Sequence, residues 1–329
     1  AMIDAGIHKD SHPNTAVLVN GRQDYSELNF SITLEMRERI VDSIRTSWPD
    51  MNEAQINEIL EILREKERIR ETPNSMTGII PNIRASRIAA HWGFTGPTMS
   101  MMNGENGFAR SLELAQGMLS QGAVDTAVVG CTELTGELEN IYVQRILGNA
   151  ETIYKNGLSE GAVVVVLKTV EKAERDGDTI YAGVDGVASS EPSYGPNQEA
   201  RLASSLSQVM KEGRVGKQEI GYVEMPVMGQ DHAKQAVSGL LADKFKEYME
   251  PADMVTDSVE RYTGLGFGLT GATAFVKNVL QVSNGVKFEE NTGRHHIWSR
   301  RGKARRALVN TFEEHGPVGH VLVSEPVSQ

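Results

Sequence analysis

The sequence predicts an α/β protein whose mostly parallel sheets are covered by helices on both faces. Three observations predict it. Apolar runs of five or six residues, Thr15 to Asn20 (TAVLVN), Thr126 to Gly130 (TAVVG) and Ala162 to Leu167 (AVVVVL), have the length and β-branched content of buried strands. Longer segments between them carry apolar residues at helical spacing. The two patterns alternate along the chain instead of segregating into blocks.

Taken in order, Thr15 to Asn20 is the first strand. Thr33 to Ser47 places Leu34, Met36, Ile40, Val41 and Ile44 at roughly helical spacing, and Pro49 closes that helix. Asp50 and Glu53 fit a capping box opening a second helix towards Arg70. Its apolar side is Ile56, Ile59, Leu60 and Leu63; the dense mixed charge elsewhere reads as a solvated face. Asn82 to His91 is helical, Pro97 to Met102 a strand and Gly107 to Gln121 a helix. The strands Thr126 to Gly130 and Ala162 to Leu167 follow, then the short segment Ala173 to Gly177 and a strand over Thr179 to Val187. Gln198 to Lys211 is a helix, Ile220 to Glu224 a strand, His232 to Tyr248 and Gly271 to Gln281 helices, and His320 to Val323 a closing strand. No linker, low-complexity segment or short-period repeat interrupts the series.

Composition narrows the function classes. With 329 residues, 40% hydrophobic and 23% charged, the chain is globular and can bury a large core. A net charge of −11 argues against nucleic acid or an anionic membrane surface as the main partner. The basic run Arg300, Arg301, Lys303, Arg305 and Arg306 reads as a solvated loop rather than a phosphate patch. The single Cys131 permits no intrachain disulfide, so a cytoplasmic location is expected. No apolar stretch reaches the ~18 residues of a membrane span, and the start lacks a signal pattern, with Ala1 reading as an appended residue before Met2. No cofactor or metal is expected. His295 and His296 are adjacent and read as loop histidines, while His91, His232 and His315 are isolated. Gly264, Gly266, Gly268 and Gly271 could form a phosphate loop, but backbone packing is the better reading; Met99, Met101 and Met102 read as strand core.

Seven short motifs then occur in one order: Ala5-Gly6-Ile7 leading to Thr15–Gly21; Arg87-Ile88-Ala89; Gly96-Pro97-Thr98-Met99; Gly157 to Lys168 (GLSEGAVVVVLK); Ala173 to Tyr181 (AERDGDTIY); Pro196 to Ala200; and Gly221-Tyr222-Val223-Glu224. Together they resemble the β-ketoacyl synthases. A charged helical insertion over about residues 31–72 is similar to synthases of the polyunsaturated-fatty-acid and enediyne type. The resemblance implies a thiolase-like fold, two similar halves with mixed sheets layered between helices as αβαβα. Residues 1–165 would form the N-terminal half, short at its start, and 166–329 the C-terminal half of one compact unit. In the family a strand precedes the Asp4-Ala5-Gly6-Ile7 stretch, and it is expected at the centre of the N-terminal sheet; its place here would be filled from elsewhere or remodelled.

The resemblance also implies a mechanism: a cysteine at a helix N-terminus takes an acyl chain, and two histidines with a supporting lysine assist decarboxylation of a malonyl unit. The matching positions hold other residues. The nucleophile position is Glu105; Pro226 and Leu265 replace the histidines, and Glu260 replaces the lysine. The gating loop becomes Phe312, Glu313, Glu314, His315 and Gly316. Proline and leucine offer no side-chain donor to a developing negative charge. Glu105 is either a re-purposed acid or base, or an anion satisfied by the helix N-terminus, the second being the better reading. Thr98, Met99, Ser100, Met101 and Met102 match the strand that pairs across the family's dimer axis. The expectation is a non-catalytic ketosynthase-like subunit of fatty-acid or polyketide biosynthesis, structural or chain-length-shaping. It would form a homodimer, or a heterodimer with an active ketosynthase, and engage acyl carrier protein. The alternatives are an acyl-thioester decarboxylase or hydrolase using Glu105, and an acyl-carrier or acyl-chain binding module.

Overall fold

The computed structural model describes residues 1–21, 26–67, 80–102, 104–134, 141, 144–146, 150–190, 198–225, 231–249, 255–289, 294–300, 302–312 and 318–326. In chain order the elements are β1 (Thr15–Asn20), α1 (Ser26–Ser47), α2 (Glu53–Glu67), α3 (Pro81–Trp92), β2 (Thr98–Met101), α4 (Gly107–Ser120), β3 (Thr126–Glu133), α5 (Ala150–Asn156) and β4 (Gly161–Leu167). They continue as α6 (Val170–Asp176), β5 (Gly183–Ser189), α7 (Gln198–Glu212), β6 (Ile220–Glu224), α8 (Asp231–Asp243), β7 (Val255–Asp257), α9 (Glu260–Thr263) and α10 (Gly268–Asn284). The strands β8 (Val286–Glu289), β9 (Arg294–Ile297), β10 (Arg306–Phe312) and β11 (Val318–Ser324) complete the chain.

Local chemistry sets the boundaries. The Asp50–Glu53 cap does not form. A reciprocal cap forms two residues on instead, with Asn52 at the cap position of α2. The Asn52 side-chain oxygen accepts the Gln55 N–H, and Gln55 Oε1 accepts the Asn52 N–H, each at 3.0 Å. Glu53 pairs with Arg45 of α1 at 2.5 Å. Pro81 opens α3, where its missing N–H costs no helical bond, and Gly93 ends it in the left-handed region at φ 74°.

Two sheets share one pattern. In the four-stranded sheet β2-β1-β3-β4 the successive pairings are parallel, parallel and antiparallel. In the five-stranded sheet β5-β11-β10-β6-β7 the run β7-β6-β10-β11 repeats that series, and β5 adds antiparallel to β11 at the edge. The expected central gap in the first sheet is absent. β1 pairs directly with β3 from Thr15↔Thr126 to Asn20↔Cys131, and the corresponding strand of the second half, β5, lies at an edge. The central place is implied by the family resemblance alone, since chain order says nothing of spatial order in a sheet with crossovers.

The helices α4 and α10 lie between the sheets. Phe108, Leu112 and Ala115 of α4 and Ala272, Phe275 and Val282 of α10 form one core with Leu18, Val129, Val309 and Val321. The Phe108 and Phe275 rings meet at 5.6 Å. On the outer face of the first sheet, α3 buries Ala85 and Ala89 against Val17, Val19 and Val128. On the outer face of the second, α7 and α8 bury Leu202, Leu206, Val237 and Leu240 against Val223, Leu308 and Leu322. The layering is therefore αβαβα.

The basic run divides: Arg300 and Lys303 are exposed in a loop, as expected, Arg301 lies outside the described residues, and Arg305 and Arg306 are half-buried in the framework instead. Arg305 Nη1 lies 2.7 Å from Glu325 and its Nε donates to the Trp298 carbonyl at 2.7 Å; Arg306 pairs with Glu219 and Asp185; Arg300 pairs with Glu325 at 3.0 Å. These carboxylates lie far along the chain, so a local reading of the run could not see them. His295 and His296 belong to strand β9, not to a loop, and His296 is exposed.

Among the described residues β4 has a single strand neighbour, β3. It leaves Val164 45% exposed in a run of β-branched residues, a template for edge pairing. Val164→Lys is expected to lower concentration-dependent self-association in light scattering. The denaturant midpoint should move by no more than about 0.5 kcal/mol equivalent, as for other surface substitutions. An unchanged scattering profile would show that this edge is not adhesive.

Candidate functional site

A single 3₁₀ turn, Gly104–Asn106, joins β2 to α4 and carries Glu105. Gly104 takes the left-handed φ of 49° that this reversal requires. The turn is clamped from the other half of the molecule by Gly271 of α10, where a Cβ would stand 2.8 Å from the Glu105 carbonyl and 2.9 Å from Thr311 Cγ2. Asn106 is 1% exposed, and its Oδ1 accepts the Thr311 hydroxyl of β10 at 3.1 Å. Glu105 itself is 8% exposed, so its carboxylate is a buried group at the start of a buried helix.

Behind the turn, the Asn20 amide at the end of β1 donates to the carbonyls of Gly104 (3.3 Å) and Gly268 (3.4 Å), and reaches Cys131 Sγ at 3.5 Å. The Cys131 thiol donates to the Gly268 carbonyl at 3.1 Å. Burial pushes that thiol up to about 12, the charge of Glu133 adding to the rise and the Asn20 hydrogen bond opposing it. At neutral pH it stays protonated and is no substitute nucleophile.

The segment from α9 into α10 holds two further positions of interest. Glu260 is fully buried, and its Oε1 accepts the Thr270 hydroxyl at 3.1 Å. Leu265 is fully buried; its N–H donates to the Gly157 carbonyl at 3.0 Å, its carbonyl accepts the Ser159 N–H at 2.9 Å, and it packs with Phe267, Ile153 and Leu158. These four side chains form an apolar cluster closed around Leu265. The α10 N-terminus brings this segment to the Glu105 turn through Gly268 and Gly271. Phe312 is buried at the end of β10. Pro226, Glu313, Glu314, His315 and Gly316 lie outside the described residues. Thr98 to Met101 form β2, at the edge of its sheet, and Met102 follows it, 46% exposed.

Sequence reasoning missed a charged cluster at the ends of β6 and β7. Glu224 is 1% exposed; it accepts a short hydrogen bond from the Val259 N–H, one from Asn278 Nδ2 at 3.2 Å and one from Lys277 Nζ at 3.1 Å. Lys277 also reaches Asp257 at 3.3 Å and lies over the Tyr222 and Tyr262 rings at 5.3 and 5.2 Å. Desolvation raises the Glu224 carboxyl, and Lys277 opposes the rise. His320 of β11 is fully buried on the sheet face opposite Gly319, bonded to Asn310 Oδ1 at 2.8 Å, and burial lowers it to about 3. It is a neutral structural imidazole. Among the described residues no group of three or more His, Cys, Asp and Glu could hold a metal ion.

Paired sheets with the same order of pairings about a shared helical layer define a thiolase-like fold. The ketosynthase from module 1 of the bacillaene synthase of Bacillus amyloliquefaciens FZB42 superposes with a TM-score of 0.74 at 17% identity, over 100% of this chain and 60% of that one. Residues 1–173 match the family model of the β-ketoacyl synthase N-terminal domain, and the chain belongs to that family. It is 25% identical over 321 residues to a polyunsaturated fatty acid synthase polypeptide of Thraustochytrium sp., covering 88% of this chain and 14% of that protein. It is 27% identical over 287 residues to a phenolphthiocerol/phthiocerol polyketide synthase polypeptide of Mycobacterium tuberculosis, covering 76% of this chain and 13% of that protein. The chain thus spans a small part of the length of these relatives. Among the described residues no helix is long and apolar enough to cross a membrane.

Proposed function

We propose that the chain is a non-catalytic ketosynthase-like subunit or domain of fatty-acid or polyketide assembly, acting as a structural or chain-length-shaping partner in a cytoplasmic dimer. The filling of the reacting centre carries this reading. By the motif resemblance Glu105 matches the nucleophile position, and Leu265 and Glu260, both fully buried, match those of a histidine and the lysine. A carboxylate there cannot carry an acyl thioester, and leucine cannot steady a carbanion. Cys131 remains a thiol and offers no detour. The pathway class is supported by the relatives, which are polypeptides of polyunsaturated-fatty-acid and polyketide synthases. The outer edge of β2 has no strand partner among the described residues, which suits antiparallel pairing with an identical chain or an active ketosynthase.

Incubation with malonyl- and acyl-carrier protein, followed by intact-mass analysis and product detection, is expected to show no acyl adduct and no turnover. Turnover that disappears in Glu105→Ala would overturn this reading in favour of a decarboxylase or hydrolase. Saturable retention of acyl-carrier protein without turnover by a chain that stays monomeric would make it a binding module instead.

A further inference from the structure

The two sheets repeat one another strand for strand until the outer edge of β4. The pair β3–β4 matches β10–β11: each is antiparallel, from Glu133↔Gly161 to Ala127↔Leu167 and from Phe312↔Val318 to Arg306↔Ser324. Val165 and Leu167 of β4 face the shared helical layer, as Val321 and Val323 of β11 do. They pair with Val129 and Ala127, while Val321 and Val323 pair with Val309 and Ala307 of the same layer. Val164 therefore holds the place of His320. His320 is fully buried, whereas Val164 is 45% exposed. The contrast runs along both strands: every residue of β11 is buried and none of β4 is. One neighbour separates them. β5 lies antiparallel on the outer edge of β11, from Gly319↔Ser189 to Ser324↔Gly183, and no strand among the described residues lies on that edge of β4.

An open strand edge carries a row of backbone N–H and C=O groups that a further strand can satisfy. Water can solvate those polar groups, but the β-branched side chains of Val163 to Val166 are stabilised only when apolar atoms cover them. The complement is an extended segment running antiparallel to β4, as β5 runs to β11. Val184 and Val187 of β5 pack on the helical layer beside β11, so small or β-branched apolar residues fit the equivalent positions beside β4. Element order says where on the polypeptide such a segment belongs. β5 leads through α7 into β6, and β1 is the counterpart of β6. The segment therefore belongs one helix ahead of β1. Residues 1–14 form neither strand nor helix, so it lies ahead of them. Their path leads to the right place, since Met2 and Ala5 pack in the cluster that holds Val166 of β4.

We propose that the outer edge of β4 is a strand-acceptor surface, completed antiparallel by a segment of the polypeptide upstream of residue 1. The surface does not depend on whether Glu105 has chemistry. Hydrogen exchange read by mass spectrometry tests it, on residues 1–329 alone and on the native polypeptide with its upstream residues, each at two concentrations. In the shorter chain the outward-facing β4 amides should exchange at least about 100-fold faster than those of β11. In the longer one they should slow to the β11 range, together with one upstream segment. Replacing that segment with Gly-Ser repeats should return β4 to the faster exchange, while β11 keeps its own and reports that the fold is intact. β4 amides as slow as those of β11 in the shorter chain would show an edge covered from within, and overturn the proposal. So would a native polypeptide that starts at Met2, β4 exchange that the upstream residues leave unchanged, or protection lost on dilution, the mark of a second copy.

Discussion

Lys277→Met is expected to destabilise the chain by about 3–5 kcal/mol, the cost of leaving a buried charge without its partner. Lys277 is 12% exposed and is the cation beside Glu224 and Asp257, which are 1% and 2% exposed. Removing it leaves Glu224 with the Val259 N–H and Asn278, which stabilise a carboxylate less than a cation does. It also removes the charge lying over two tyrosine rings. The pH dependence follows from the direction of the Glu224 shift. A carboxyl already raised above 4.5 by burial rises further when the lysine is lost. A group raised in the folded state contributes stability below its unfolded value and loses it as pH climbs through the folded value. The deficit of Lys277→Met should therefore be smallest near pH 5 and grow towards pH 8. Denaturant midpoints at the two pH values measure it, and Glu224→Gln combined with Lys277→Met should recover part of the loss. An equal deficit at both pH values would show that packing, not charge, dominates.

Much of the fold could be read from the chain because it depends on local pattern. The strands Thr15–Asn20 and Ile220–Glu224 have the boundaries their apolar runs suggest. Others shift: the strand expected at Thr179 to Val187 is Gly183–Ser189, and the helix expected from Gly271 begins three residues earlier. β10 escaped notice because Arg305 precedes it, Arg306 begins it, and Asn310 and Thr311 interrupt its apolar run. Only tertiary partners make those polar residues acceptable inside a sheet: the Glu224 carbonyl for Asn310 and Asn106 for Thr311. The site divides in the same way. Glu105, Glu260 and Leu265 are singled out by motif order, and the structure buries all three. The Glu224–Lys277 pair is not singled out, since its members stand 53 residues apart in elements with no shared pattern.

Acidification should unfold the chain through His320, and His320→Gln should blunt that response. The Asn310 amide nitrogen donates to the Glu224 carbonyl at 3.0 Å, so its oxygen is the group facing the imidazole, and His320 Nδ1 carries the proton of their 2.8 Å bond. Nε2 is then an unprotonated nitrogen in the core, with no hydrogen-bond partner among the described residues. Adding a proton there would bury a charge with no acceptor, which is why burial lowers the group from 6.5 to about 3. The unfolded chain binds that proton readily at ordinary imidazole values. Between about pH 6.5 and 3 the unfolded state holds more protons, and stability falls as pH falls, by up to about 1.4 kcal/mol per unit from this residue. His12, lowered by burial and by Lys168 and Lys172, adds a slope of the same sign, so the comparison must be between variants and not between pH values alone. The glutamine amide can still donate to Asn310 but does not titrate. Its variant should therefore start less stable at pH 7 and lose stability more slowly between pH 6.5 and 5, a window above most carboxyl titrations. Parallel stability curves for the two proteins would mean that His320 is solvated before the chain unfolds, and would remove it as the acid trigger.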